Sequence, residues 1–128
     1  MLLTLSEQSP EPLHGQISRQ IRARILAGRL VAGAGLPSIR ELARDQRVSV
    51  ITVKRAYSDL EGEGLIHARP GKGFFVSPLS EPEKEGLALE RLREALTPVV
   101  QDALAQGLDA DRVRGIIEDS LKTTGAPE

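Results

Sequence analysis

Leu36-Pro37-Ser38-Ile39-Arg40-Glu41-Leu42-Ala43 and, after a short gap, Val48-Ser49-Val50-Ile51-Thr52-Val53-Lys54-Arg55-Ala56-Tyr57-Ser58-Asp59-Leu60-Glu61 decide how this chain folds. Ser38 has the position of a helix N-cap, and Glu41 stands three residues on, where its side chain can reach back to the cap backbone: a capping box. A short helix is expected from there through about Arg44. Ser49 is a second N-cap candidate, with Thr52 rather than an acid at the third helical position. Beyond it Val53, Ala56, Tyr57 and Leu60 recur at the spacing of one helix face, so a second helix should run to about Gly62–Gly64 with that face buried.

Working outward, Leu13, Ile17, Ile21, Ile25 and Leu26 make an apolar helical stripe upstream that ends at Gly28, and Gly33, Gly35 and Pro37 break the chain before the capping box. Downstream, Leu65–Arg69 and Phe74–Val76 are short strand-forming runs separated by Pro70-Gly71-Lys72-Gly73, which predicts a hairpin with a cationic, glycine-rich tip. The Pro- and Glu-rich stretch Leu79–Glu85 reads as a linker. After it Leu89, Leu92, Leu96, Val99 or Val100 and Ala103 predict a long amphipathic helix ending near Gly107. Asp109 or Asp111 would cap a last helix carrying Val113, Ile116, Ile117 and Leu121. Pro98 falls inside the long helix, removes a backbone donor and is expected to split it into Lys84–Leu96 and Val99–Gln106. The expected order is three helices and a hairpin over 1–77, then two helices over 78–128.

Composition excludes several classes of protein. At 128 residues the chain has room for one ordinary domain or a small domain with an appendage. With no cysteine there is no disulfide, thiolate nucleophile or cysteine-ligated metal. Phe74, Phe75 and Tyr57 are the only aromatics, too few for a surface that binds single strands by stacking bases. No run nears the ~18 apolar residues of a membrane span, and Met1–Leu5 lacks the features of a signal peptide, so a soluble, cytoplasmic protein is expected. His14 and His67 stand far apart without metal-ligand spacing, and ordinary packing or solvation is expected for both. No nucleophile or carboxylate pair stands out, and neither an enzyme nor a cofactor is expected. The net charge of −1 divides unevenly: residues 1–77 carry eleven Lys or Arg against seven acids (+4), and residues 78–128 carry six against eleven (−5). A basic half joined to an acidic half is what a polyanion-binding module with an appended second module would show.

The run Pro12–Ile17, Gly28-Arg29-Leu30, the two segments quoted first, Gly64-Leu65-Ile66, Arg69 and Gly71-Lys72-Gly73-Phe74-Phe75-Val76 together resemble the winged-helix DNA-binding domain of GntR-family transcription regulators, over about residues 10–77. The short acidic tail resembles, by length and helix pattern, the YtrA-like subgroup. The resemblance implies a mainly α protein: a winged helix-turn-helix of three helices plus a β-hairpin wing, followed by a small two-helix C-terminal dimerisation domain. It also implies a sequence-specific transcriptional regulator, a dimeric repressor on a palindromic operator of double-stranded DNA. By family position Arg40 reaches base or phosphate beside the cap Ser38, Ser49, Thr52 and Lys54 touch the operator, and Gly71 and its neighbours insert beside the adjacent groove.

The residues themselves add detail to these expectations. With Val53, Ala56, Tyr57 and Leu60 turned inward, Ser49, Val50, Ile51, Lys54, Arg55 and Ser58 are left to face a major groove. Many relatives have arginine directly after the serine; here Val50 and Ile51 cannot donate to guanine, and they fit thymine methyl groups instead, unless one of them is buried under the hairpin. Arg69, Lys72 and the two glycines Gly71 and Gly73 let the wing approach a phosphate backbone closely. The apolar stripe of the tail calls for another surface, most economically the same stripe on a second copy. The sequence identifies no small-molecule effector. The competing reading is a winged-helix adaptor whose basic face meets an acidic protein partner, which the apolar Val50–Ile51 pair favours.

Overall fold

The computed structural model describes residues 1–124. Helix α1 spans Leu13–Leu26, α2 Ile39–Gln46 and α3 Val50–Gly62; strands β1, Ile66–Arg69, and β2, Gly73–Val76, form an antiparallel hairpin. Helices α4, Glu81–Ala105, and α5, Ala110–Thr123, complete the chain. Two compact units result, Met1–Glu85 and Gly86–Glu128.

The first unit has a well-filled core. Ile17, Ile21 and Ile25 of α1 and Val53, Ala56, Tyr57 and Leu60 of α3 are fully buried, and Leu42 from α2 and Leu65, Ile66 and Val76 from the hairpin join them. Polar groups tie the same elements together. Buried Arg22 donates from Nε and Nη2 to the two carboxylate oxygens of Glu63 at 2.8 and 2.7 Å, fixing α1 to the C-terminal end of α3. The Tyr57 hydroxyl donates to Pro37 O at 2.7 Å, and its ring meets Phe74 edge-on at 5.0 Å. Burial, with the nearby charge of Glu41 adding to it, pushes the Tyr57 hydroxyl well above its ordinary value of 10.0.

The hairpin is wider than its two strands. Gly33 N–H donates to Val76 O (2.8 Å), Val76 N–H to Ala34 O (2.9 Å) and Leu36 N–H to Phe74 O (2.9 Å), so the segment before α2 lies along β2 and bridges it at Gly35–Phe75. The polar N-terminus is also held in place. Side chains one helical turn apart on α1 grip alternate residues of an extended strap. Gln16 accepts from Ser6 N–H (2.9 Å) and donates to Ser6 O (2.8 Å), Gln20 accepts from Thr4 N–H (2.9 Å) and donates to Thr4 O (2.7 Å), and Arg24 donates to Leu2 O. The register works because four helical residues rise about 6.0 Å and two extended ones about 6.6 Å. Leu3, between the gripped residues, is buried.

Two expectations for the tail are corrected. Residues 79–85 are not all linker, since α4 starts at Glu81: Ser80 and Glu83 form a capping box, each backbone N–H bonded to the other's side chain at 3.2 Å. Pro82 sits in the first turn, where its missing donor has no helical acceptor to satisfy. Nor does Pro98 split the long helix; α4 continues through it. The residues around Pro98 are largely exposed, and the apolar stripe Leu96, Val99, Val100, Ala103 keeps to one face on both sides of the proline. Asp109 caps α5, accepting from Arg112 N–H at 2.9 Å.

Candidate nucleic-acid interface

The two predicted caps set the geometry of the helix pair. Ser38 accepts from Glu41 N–H at 3.1 Å and Glu41 accepts from Ser38 N–H at 3.1 Å, which both starts α2 and ties back the one carboxylate of its first turn. Ser49 Oγ accepts from Thr52 N–H at 3.0 Å and lies 2.8 Å from Thr52 Oγ1. Between them the chain turns at Arg47, the only non-glycine with positive φ among the described residues (φ 56, ψ 45). The turn residue in most left-handed helix ends is glycine; here a cation occupies it.

Burial of Val53, Ala56, Tyr57 and Leu60 fixes the rotation of α3. Its outer face therefore carries Val50 (47% exposed), Ile51 (64%), Lys54, Arg55 and Ser58, with Ser49 exposed and Thr52 half-buried at the start. Neither Val50 nor Ile51 is buried under the hairpin. Asp59 is the first acid in the helix, so its first two turns combine the positive end of the backbone dipole with two cations and no carboxylate.

Pairing divides the cations of the first unit. Those of α1 are taken: Arg19 by Glu11 (3.0 Å), Arg22 by Glu63, Arg24 by a backbone carbonyl. Arg44 reaches Asp45 at 3.3 Å. Arg40, Arg47, Lys54, Arg55, Arg69 and Lys72 are exposed and make no ion pair with the described residues. Arg29, in the loop after α1, is exposed and unpaired as well, but most of the unneutralised positive charge of residues 1–77, net +4, stands on the helix pair and the wing, where a phosphate backbone would release counterions.

The wing tip is a tight turn closed by Lys72 N–H to Arg69 O (2.9 Å), with Gly71 (φ 74) and Gly73 (φ 106) in conformations that favour glycine. Arg69 is not a free side chain: its guanidinium lies 4.3 Å from the centroid of the Phe75 ring. His14 Nδ1 lies 3.6 Å from Asp59 Oδ2, and His67, on β1 of the wing, has its Nδ1 3.0 Å from Ser77 Oγ. Among the described residues no cluster of potential metal ligands occurs, and no helix is long and apolar enough to cross a membrane. Sequence reading missed Arg47, whose only signal was a cation between two helices, and the Phe75 contact of Arg69.

Comparison with known proteins fits this arrangement. Residues 13–76 match the family model for bacterial regulatory proteins of the gntR family. The transcriptional repressor YtrA of Bacillus subtilis (strain 168) is 28% identical over 118 residues, 92% of this chain and 91% of YtrA. The transcriptional repressor NagR of the same organism is 34% identical over 106 residues, which are 83% of this chain but only 40% of NagR. The crystal structure of AraR(DBD) in complex with operator ORX1 superposes with a TM-score of 0.53 at 29% identity, covering 59% of this chain and 96% of that one. The chain belongs to the gntR family of bacterial regulatory proteins, with the family's DNA-binding winged helix in its first half.

Proposed function

We propose that this transcriptional regulator is a homodimeric repressor that reads a palindromic operator through the outer face of α3. The observation that carries the reading is the coincidence on α3 of an outward apolar pair, Val50 and Ile51, with the unpaired cations Lys54 and Arg55. A helix in a major groove meets thymine methyls and base acceptors, and that combination of side chains suits both. Arg40, Ser38, Ser49 and Thr52 fix the register of the helix on the backbone, and Arg69, Gly71, Lys72 and Gly73 brace the wing on the neighbouring strand. Arg47, at the turn, adds a further phosphate contact.

Dimerisation is supported by the second unit, where neither α4 nor α5 has a buried residue. Leu96, Val99, Val100 and Ala103 of α4 face Val113, Ile116 and Ile117 of α5 across an apolar groove of about 120 Å³. That volume is small for a drug-sized ligand, which usually needs several hundred Å³. A second copy of the same stripe covers the groove with matching chemistry, and two copies present two recognition helices to two half-sites. Repression fits the relatives YtrA and NagR, both named as transcriptional repressors.

Selection of bound sequences from a random duplex pool tests the whole reading. The expected result is a two-fold symmetric motif with A·T pairs opposite Val50 and Ile51; a pool that never departs from random contradicts it. On the selected duplex, Lys54→Ala should relax base discrimination. Lys72→Ala should weaken all sequences alike and lower the log–log salt slope by about one unit.

A further inference from the structure

One face of the hairpin gathers His67, Arg69 and Phe75. His67 and Arg69 lie on the same face of β1, and Phe75 is the cross-strand partner of His67. The His67 and Phe75 rings are 6.2 Å apart and tilted by 33°, with His67 itself held by Ser77. A Cβ placed on Gly35 would sit 3.7 Å from Phe75 Cε1, so the third segment of the small sheet runs alongside the ring. Gly73, opposite Arg69, adds no side chain to that face. The guanidinium therefore covers the Phe75 ring at 4.3 Å, while its donors make no hydrogen bond or ion pair with the described residues.

The contact with Phe75 confines the guanidinium carbon and leaves its N–H donors without a hydrogen-bond or ion-pair partner among the described residues, so they are available to a phosphate, which an arginine can meet with two parallel bonds. An unsupported arginine gives up several rotatable bonds when it binds; one already stacked has given up part of that freedom beforehand.

We propose that Phe75 is a positioning residue for DNA binding: it pre-orients Arg69 on the wing for a bidentate phosphate contact and does not itself touch the duplex. The inference rests on the DNA-binding reading above and adds to it a residue that lies behind the contact surface. Restricting Arg69 to one orientation makes the wing contact depend on the shape of the side chain as well as its charge.

The test uses the full chain and random-sequence duplex DNA at low salt, with affinities of wild type, Arg69→Ala, Arg69→Lys, Phe75→Leu, Phe75→Tyr and the double variant Arg69→Ala/Phe75→Leu. Arg69→Ala and Phe75→Leu should each weaken binding by about threefold to tenfold, the range set by a partly exposed cation–π contact. The double variant should be no weaker than Arg69→Ala alone, and Phe75→Tyr should bind as wild type does. Arg69→Lys, which keeps the charge but not the planar fork, should lose affinity without losing salt slope. Three results would overturn the proposal: Phe75→Leu costing as much in the Arg69→Ala background as in wild type, Arg69→Lys binding like wild type, or Arg69→Ala having no effect. The first of these would assign Phe75 to hairpin stability alone. Wild-type protein that fails to retard the duplex would instead overturn the DNA-binding reading itself, so the two failures are distinguishable.

Discussion

The two units of this chain solve the same problem with unequal means. Met1–Glu85 buries three isoleucines of α1 against the inner face of α3 and closes the arrangement with the hairpin, a short sheet segment and the N-terminal strap. Gly86–Glu128 has an apolar stripe of similar composition but leaves Leu89, Leu92, Val99, Ile116 and Leu121 more than half exposed. Periodicity is equally clear in both; what differs is the number of surfaces available to cover it. Three helices and a hairpin enclose a core, whereas two helices can only form one side of one. The contrast separates a part with a closed core from a part whose apolar stripe is left exposed.

Interrupting the first core should have the largest effect. Leu60→Ala is expected to cost about 3 kcal/mol, because a fully buried leucine leaves both lost transfer energy and a cavity. Leu92→Ala in α4 should cost within about 0.5 kcal/mol in a single copy. Tyr57 is the only tyrosine and there is no tryptophan, so its fluorescence during urea unfolding follows the first unit specifically. Loss of helical circular dichroism in urea adds the second unit to the readout, and equal losses for the two variants would erase the contrast.

Ile116→Asp comes next. It places a charge on the stripe assigned to the second copy, and should raise the dissociation constant in sedimentation by about a hundredfold, close to 2.7 kcal/mol. The urea midpoint read at Tyr57 should stay where it was at a fixed protein concentration. A sedimentation profile identical to wild type would remove the second unit from the dimer contact.

The smallest expected effect is pH-dependent and belongs to the first unit. The folded Tyr57 hydroxyl is held above its ordinary value of 10.0 by burial and by Glu41. The unfolded chain therefore releases that proton first, and stability falls as pH rises from about 10. Tyr57→Phe gives up the bond to Pro37 O, about 1 kcal/mol at neutral pH. The variant should lose less stability than wild type between pH 9 and pH 11, and parallel curves for the two proteins would show that the hydroxyl titrates freely.

The legible parts of the fold were those written in short-range chemistry. Two N-cap serines and a stripe of four apolar residues located α2 and α3 and left Lys54 and Arg55 on the outer face, whereas the exposure of Val50 and Ile51, open to either outcome from periodicity alone, is fixed by the helix rotation that burial of the stripe imposes. The hairpin followed from two strand-forming runs around a proline–glycine turn. The strap at Met1–Leu5 has no periodicity of its own, because its register is imposed by Gln16 and Gln20 across a distance the sequence does not display. The pairing of Gly33–Leu36 with β2 was hidden by the same glycines and proline that read as breaks. At Pro98 a local rule gave way, since α4 runs through it and the stripe on either side continues as one face. The cationic positions of the candidate site were legible one by one, but the left-handed turn at Arg47 and the stacking of Arg69 on Phe75 depend on backbone conformation and cross-strand register.

The claim that α3 reads base edges is tested most directly by changing one residue on its outer face and asking whether the DNA sequence it selects changes with it. Val50→Arg exchanges an apolar contact for a bidentate donor that prefers guanine. Pool selection with wild type and this variant side by side should return motifs that differ at one position in each half-site, A·T giving way to G·C there and the rest unchanged. The same motif from both proteins would contradict the account, since Val50 would then lie outside the groove.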